Sequence, residues 1–268
     1  MTKFLNKFTL VTAGATLSLG LMSVNSAQAG TFNLTVQGTD AIYLAGRADV
    51  TIPPLGSTDP SFPLGRHSFV AADFLKDTFP QFITASGGQL FSFSASGCVH
   101  YFNGVGCPGN GFAPDGNSAG VSDLSNLSGI SGYKGSQGPL VGLFLNDNNP
   151  VSSSAPTALD FTASGLGTDF SNLAPELGQV FFIGDGLGSS GTQIFKAPEG
   201  STRLFLGIPD GFGFVNSPGA YEDNDGSFNV TVNVEDPTPV PEPSAALGLG
   251  IVGLGIFLKK KLQSSRKA

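Results

Sequence analysis

A segment near the C-terminal end of the chain concentrates oxygen-bearing side chains in a way that suits metal binding. Within sixteen residues it holds four carboxylates and one amide: Asp210, Glu222, Asp223, Asn224 and Asp225. Carboxylates brought together repel one another unless a cation joins them. Oxygen ligands on irregular loops suit Ca²⁺, whereas Mg²⁺ demands a tighter octahedron and keeps its waters. The segment therefore predicts a calcium site, with an acidic surface turn as the alternative.

Residues suited to catalysis are few. The sequence has no Gly-x-Ser-x-Gly elbow, no His-Glu-x-x-His and no Gly-rich phosphate loop. Its two histidines, His67 and His100, are the only imidazole bases. Asp115 and Asp123 could serve as the paired acids of a glycoside hydrolase, but Pro114-Asp115-Gly116 is also an ordinary turn sequence. We therefore predict that the protein is not an enzyme.

The first 29 residues have the three parts of a secretory signal peptide. Lys3 and Lys7 precede an apolar run from Phe8 to Leu21, and a small-residue cleavage site, Ala27-Gln28-Ala29, follows. We expect export, with cleavage leaving Gly30 first. The two cysteines, Cys98 and Cys107, are then expected to form a disulfide, because an even pair in an exported chain is normally oxidised.

The C-terminal end also has three parts. A Pro/acid linker over 236–243 contains Pro241-Glu242-Pro243, an apolar run follows at Ala245–Leu258, and the last residues are basic. Fourteen apolar residues are short for a membrane span, which usually takes about 17–25, and the basic end would stay on the cytoplasmic side.

This pattern resembles the PEP-CTERM sorting signal of Gram-negative bacteria. The resemblance implies that the helix and basic tail over 244–268 insert transiently in the membrane and anchor the protein. An exosortase would then process it near Pro241, Glu242 and Pro243, and the product would reside at the cell surface or in the extracellular matrix. A plain C-terminal membrane anchor is the alternative.

The charge of the exported part limits its partners. Seven of the 13 basic residues and one of the 20 acidic residues lie outside 30–240, which leaves that part with a net charge of −13. Binding to nucleic acid requires a positive surface. We therefore exclude nucleic acid as a partner and expect cations to be attracted.

The residues between these ends favour an all-β fold. Apolar runs of strand length, several with period-two alternation, recur between turns rich in Gly and Pro: 32–36, 41–44, 90–95, 140–145, 179–183, 204–208 and 228–234. Many short strands joined by such turns predict a β-sandwich. One domain is expected over 30–235, with a weakly patterned insertion at about 145–176.

With these strands and the acidic loop in view, the domain resembles the LecA-type bacterial lectins, which are calcium-dependent galactose binders. The strongest match is Gly219-Ala220-Tyr221 followed by 223–230. Asp210 matches the family's metal-binding Asp, Tyr101 matches a Tyr that ligates calcium through its carbonyl, and Pro114-Asp115 matches a Pro-Asp of the sugar loop.

The resemblance implies a jelly-roll-like β-sandwich, similar to a galactose-binding domain, with Ca²⁺ as cofactor. Its ligands would be the side chains of Asp210, Asp223 and Asn224 and the carbonyls of Tyr101 and Ala220. Two sugar hydroxyls would complete the shell of the ion.

The residues expected at the sugar site are His100, Asp115, Asp210, Ala220, Asp223 and Asn224. Ala113 and Gly116 stand where the family has the His and Gln that touch the sugar, and the insertion has no counterpart there. The interpretation is an exported calcium-dependent lectin that binds carbohydrate or exopolysaccharide. The alternative is a structural matrix protein in which calcium only stabilises loops.

Overall fold

Strands occupy most of the segments in which the sequence predicts them. The computed structural model describes residues 29–55, 59, 61–64, 76–101 and 111–237, and strands joined by loops dominate these residues, which confirms the all-β class. The strands are β1 (Gly30–Gln37), β2 (Phe82–Thr84), β3 (Leu90–His100), β4 (Asn117–Leu124), β5 (Tyr133–Gln137), β6 (Val141–Leu145), β7 (Asn172–Leu173), β8 (Val180–Phe182), β9 (Leu187–Gly188), β10 (Gly191–Thr192), β11 (Ile194–Lys196), β12 (Arg203–Gly207), β13 (Val215–Asn216) and β14 (Asp225–Glu235).

Four short 3-10 helices lie between the described strands: Ile42–Leu44, Pro150–Ser152, Phe212–Phe214 and Tyr221–Asp223. The first of them replaces the strand-like run predicted at 41–44. Ala41 makes only an isolated bridge to Ile208 before the chain turns. The run is apolar because all four of its residues are buried in the core, so its composition reflects burial without strand pairing.

A five-stranded sheet carries the clearest alternation of the sequence. Its strand order is β1-β14-β3-β11-β7, and β14 pairs antiparallel with both β1 and β3 along its length. Phe228, Val230, Val232 and Val234 are buried on one face of β14. The alternating polar residues face the other way, where Thr231 donates a hydrogen bond to the Asn33 side chain across the strand pair (2.9 Å).

A four-stranded sheet, in the order β2-β12-β6-β8, is buried more completely. The alternation at 204–208 predicts a half-buried strand, but every residue from Leu204 to Ile208 is buried. All of these residues are buried because β12 is an interior strand, between β2 and β6, and has protein on both faces. Continuous apolar runs are typical of strands buried in this way.

The two larger sheets meet through aromatic side chains. Phe91 of β3 lies 5.2 Å from Phe144 of β6, measured between ring centroids, and Phe195 of β11 lies 5.2 Å from Phe181 of β8. Both pairs are in tilted or edge-on geometry, as aromatic rings prefer. These contacts place the hydrophobic core between the two sheets.

The segment predicted as an insertion, 145–176, packs against the same domain. Its strand β7 pairs parallel with β11 at the edge of the five-stranded sheet. Asp160 forms an ion pair with Lys134 of β5 (2.8 Å), and β5 belongs to a three-stranded sheet in the order β13-β4-β5. The remaining strands, β9 and β10, form a two-stranded hairpin sheet.

Several predictions concern residues outside those that the structure describes. They are the signal peptide through residue 28, Cys107, the motif Pro241-Glu242-Pro243 and the sorting helix with its basic tail. Across the described ranges, none of the helices combines the length and the apolar character that crossing a membrane requires.

Candidate calcium site

The pairing of β3 with β14 brings distant parts of the predicted calcium site to one end of the five-stranded sheet. His100, the last residue of β3, is opposite Asp225, the first residue of β14. Tyr101 follows the one strand and Asn224 precedes the other, so both lie beyond the same edge of the ladder. The two predicted ligands are 123 positions apart in sequence, and the strand register alone makes them neighbours.

The loop between Asp210 and Asn224 supplies the other predicted ligands. The N–H of Gly219 donates to the Asp210 carbonyl (3.0 Å), which closes the loop at its base. Ala220 then adopts a left-handed conformation with φ of 63°, which is uncommon for a residue other than glycine and is found repeatedly at functional sites. This turn starts the 3-10 helix Tyr221–Asp223, and Asn224 ends it.

Tyr221 fixes the position of Asp210. Its side chain is fully buried, and its hydroxyl donates to the Ile208 carbonyl (2.8 Å) while accepting the N–H of Asp210 (3.2 Å). The backbone on both sides of Pro209 is therefore tied to one phenol. The chain leaving β12 is held so that the Asp210 carboxylate points into the protein, where only 2% of the residue is exposed.

The electrostatics of Asp210 are those of a buried acid among other acids. Burial raises the pKa of its carboxyl well above the usual range, hydrogen bonds from the Gly211 N–H and from Asn224 lower it, and the nearby Asp223 and Glu222 raise it again. The Gly211 N–H reaches Oδ1 at 2.7 Å. A cation at this position would stabilise the ionised form, which burial alone disfavours.

Asn224 carries the strongest local indication of a missing partner. The residue is 1% exposed, and its Nδ2 donates to the Gly38 carbonyl (2.9 Å). Its Oδ1 is buried and has no hydrogen-bond partner. Buried polar atoms are nearly always satisfied, and an exception calls for an explanation such as an ion. Coordination of Ca²⁺ by this oxygen would satisfy it.

The donor set fits a hard cation. Two carboxylates, one amide oxygen and backbone carbonyls are the ligand types that Ca²⁺ takes. No group of three or more His, Cys, Asp or Glu side chains suited to a metal ion occurs in the part of the chain that the structure describes. The predicted calcium site contains only two such side chains, Asp210 and Asp223. Its remaining ligands are the Asn224 amide oxygen and backbone carbonyls, which are not among the side chains of such a group.

Tyr101 and His100 occupy buried positions at this end of the sheet. Tyr101 is 2% exposed, its ring stacks on Phe112 with centroids 5.7 Å apart, and its hydroxyl donates to the Gly138 carbonyl. Burial raises the pKa of its phenol well above the usual range, and the charge of Asp210 raises it further. His100 is 8% exposed, on β3.

Asp115, predicted as a sugar contact, lies in a pocket of ≈ 250 Å³ together with Asp169 and Asp185. Its Oδ1 accepts the N–H of Asp185 (3.0 Å). Burial raises the pKa of the Asp115 carboxyl, the Asp185 N–H lowers it, and the Asp185 charge raises it. The described residues that line this pocket include none of the predicted calcium ligands.

Two contributors to the site are not predicted from the sequence. Tyr221 enters the sequence analysis only as part of a matching tripeptide, and nothing in the sequence indicates Gly38, whose carbonyl accepts the hydrogen bond from the Asn224 amide. Glu222 belongs to the acidic segment that predicts the site, although the resemblance assigns it no role. It is 3% exposed and acts electrostatically on Asp210.

Cys98 lies on β3 opposite Ser227. The described residues contain no free cysteine. Its predicted partner, Cys107, lies outside the described ranges, so the pairing of these two stays a prediction.

Comparison of the chain with protein-family models, with curated proteins and with solved structures finds no match.

Proposed function

We propose that the protein is an exported calcium-binding protein of the lectin type, in which a bound Ca²⁺ presents open coordination positions to the hydroxyls of a carbohydrate. Asp210, Asp223 and Asn224 would hold the ion by side chain, and Tyr101 and Ala220 by backbone carbonyl. The carbohydrate would belong to the cell surface or to an extracellular polysaccharide matrix. A jelly-roll-like sandwich would be the scaffold.

One observation carries the calcium part of the proposal. The buried Oδ1 of Asn224 lacks a partner beside an almost fully buried Asp210 whose pKa is raised. Both groups need a positive partner, and the exported part of the chain has few basic residues to supply one. A divalent cation would satisfy both at once, with oxygen donors of the type that Ca²⁺ prefers.

Exposure supports a role for carbohydrate. Ala220 and Asp223 are half-buried, whereas Asp210 and Asn224 are buried. The ion would therefore be reached from solvent on the side of Ala220 and Asp223. His100 is buried, and Asp115 lies with a separate group of acids, so a sugar at the ion would depend mainly on the ligands themselves.

The burial of three predicted ligands favours a second candidate function. Tyr101, Asp210 and Asn224 are each at most 2% exposed. An ion enclosed by such groups would act mainly as a cross-link between the β3–β14 end and the loop after β12. In this case the protein would be a structural component of the matrix, and calcium would only stabilise its loops.

Binding of glycans with and without calcium separates the two functions. We would probe purified protein on a glycan array in millimolar CaCl₂ and again in excess chelator, with Asp223→Ala as the variant. Asp223 is half-buried, and the substitution removes its side-chain oxygens, so it should reduce glycan binding while leaving the fold intact. The matched control is Asp225→Ala, because Asp225 is not a predicted ligand.

The lectin function predicts binding that needs calcium and falls in the Asp223 variant only. If calcium stabilises the protein but no glycan binds in a calcium-dependent way, the lectin function is wrong and the structural role stands.

A further inference from the structure

A cleft of ≈ 600 Å³ lies between the insertion and the sheet that contains β4 and β5. Volumes of roughly 300–1,000 Å³ are typical of small-molecule sites. The insertion supplies one wall with residues 161–164 and 167–168, and residues 118, 120–121 and 135–136 supply the other. The part of the sequence that the lectin resemblance leaves without a counterpart therefore builds a concave surface.

Hydroxyl groups dominate the polar lining of the cleft. They belong to Ser118, Ser136, Thr162, Ser164 and Thr168. The described residues that line the cleft include no charged side chain, although the exported part of the chain is strongly acidic. Hydroxyls both donate and accept hydrogen bonds. The cleft is therefore suited to an uncharged ligand that is itself rich in hydroxyl groups.

Small residues on the insertion side leave room for a ligand. Ala163 and Gly167 line that side of the cleft. A Cβ at Gly167 would have open space around it, with nothing within 4 Å. Val121 adds an exposed apolar side chain, with 52% of its surface accessible. Apolar patches among hydroxyls match the mixed surface of a sugar ring.

The wall formed by the insertion is held in place by side-chain contacts. Thr162 Oγ1 donates to Asp160 Oδ1 (2.5 Å), and Asp160 is anchored by its ion pair with Lys134 (2.8 Å). The hydroxyls of Thr162 and Ser164 are 3.0 Å apart. Below them, the Phe161 ring stacks on Tyr133, with centroids 6.0 Å apart. A preformed wall lowers the entropy cost of binding.

The acidic pocket adjoins the cleft at Thr168, which lines both. Asp115 and Asp185 each use one carboxylate oxygen to accept a backbone N–H, from Asp185 and Leu187 respectively. Ionised carboxylates can only accept hydrogen bonds, so this end of the groove needs a ligand that donates. Sugar hydroxyls donate, and the adjoining hydroxyl-lined part supplies complementary partners.

We propose that the cleft and the acidic pocket together form a calcium-independent groove for a neutral oligosaccharide. The insertion over 145–176 exists to build its wall. This inference goes beyond the calcium site, since the described lining contains none of the predicted calcium ligands. It also gives Asp115 a role at this groove.

The test uses neutral hexasaccharides of glucose, galactose, mannose and N-acetylglucosamine as probes, added to purified protein in excess EDTA. Binding is measured by saturation-transfer NMR and titration calorimetry. The variant Ala163→Trp fills the cleft from an exposed position. Its matched control is Leu166→Trp, because Leu166 belongs to the same loop, is 52% exposed and does not line the cleft.

At least one hexasaccharide should bind in EDTA. Ala163→Trp should weaken that binding by about ten-fold or more, whereas Leu166→Trp should leave it unchanged. A second variant, Asp185→Asn, keeps the shape of the pocket and should weaken binding by about ten-fold, as expected for the loss of a charge-assisted hydrogen bond. Thermal unfolding of each variant verifies that it is folded.

The groove and the calcium site are tested independently of each other. Asp210→Asn should bind the hexasaccharide in EDTA as well as the unchanged protein does. Failure of every hexasaccharide to bind in EDTA, or equal binding by the protein and its Ala163→Trp variant, would overturn the groove. Binding that occurs only with calcium and disappears in Asp210→Asn would also overturn it, while supporting the calcium-dependent function.

Discussion

The side-chain amide of Asn224 donates a hydrogen bond to the backbone carbonyl of Gly38 (2.9 Å), which joins the predicted calcium loop to the end of β1. The Gly38 N–H donates in turn to the Gly226 carbonyl (3.0 Å). There is no room for a side chain at residue 38, since an added Cβ would lie 2.9 Å from Val99 Cγ1 and 3.2 Å from Asn224 Cβ. The loop is thus positioned by the end of β1 and the start of β14.

Replacing Asn224 by Ala should destabilise the protein even in the absence of calcium. The change leaves the Gly38 carbonyl buried without its donor, which costs about 1–3 kcal/mol. Urea unfolding in chelator measures the loss. The control is Asn229→Ala on the exposed face of β14, where surface substitutions change stability by about 0.5 kcal/mol or less. Equal effects of the two substitutions would contradict this role of Asn224.

The ion pair between Asp160 and Lys134, which holds the insertion, should make the free energy of unfolding depend on pH in the acid range. Hydrogen bonds from Lys134 and Thr162 lower the pKa of Asp160 to about 2, against about 3.9 in an unfolded chain. A lowered pKa contributes stability above the unfolded value, and that stability is lost as the pH falls from about 4 towards 2. Asp160→Asn should therefore be less stable than the unchanged protein at pH 5, and the difference should shrink below pH 4.

Urea unfolding at a series of pH values measures this difference. Lys134→Gln is the matched control, because it removes the partner of Asp160 and should reproduce most of the same pH dependence. A difference between Asp160→Asn and the unchanged protein that stays constant from pH 5 to pH 2 would mean that the ion pair does not set the pKa of Asp160.

The disulfide prediction concerns Cys98 and Cys107. Non-reduced protein should contain no reactive thiol, and reduction should lower the free energy of unfolding by about 2–3 kcal/mol because the closed loop is short. Thiol labelling and unfolding with and without reductant provide the measurements. Finding two reactive thiols in non-reduced material would refute the pairing.

Processing of the C-terminal end is tested by intact mass. Protein isolated from its native host should lack Ala245–Ala268 if an exosortase acts near Pro241–Pro243, and its N-terminus should be Gly30, the first residue of β1. Retention of the basic tail on all molecules would favour the plain membrane anchor.

Local patterns predicted the strands whose two faces differ. β14 alternates strictly because one face meets the core and the other meets solvent, and its partner β3 behaves similarly over 90–95. The pattern failed where burial is two-sided, as in β12, and where apolar residues are buried without pairing, as at 41–44. In these cases the environment of a residue depends on elements that its own neighbours in sequence do not reveal.

The candidate site was predictable only in its local part. The run from Glu222 to Asp225 stands out by composition, and Asp210 follows a recognisable strand. Contacts between distant residues were not predictable: Asn224 meets Gly38, 186 positions away, and Asp115 meets Asp185, 70 positions away. Such pairs are set by strand register and sheet packing, which a single sequence does not specify.

The central claim is that Ca²⁺ binds the folded protein at Asp210, Asp223 and Asn224, and thermal unfolding with and without the ion tests it most directly. A ligand that binds only the folded state stabilises it by about 2.7 kcal/mol when its free concentration is a hundred times the dissociation constant. For a domain of this size that corresponds to a rise in Tm of about 5–10 °C. Asp210→Asn should lose this rise without losing stability in chelator, because it removes a buried charge.

The matched control is Asp225→Asn, which should keep the full calcium response. The account predicts a calcium-dependent rise in Tm for the unchanged protein and for Asp225→Asn, and none for Asp210→Asn. A Tm that does not respond to millimolar calcium, or an Asp210→Asn variant that responds as the unchanged protein does, would contradict it.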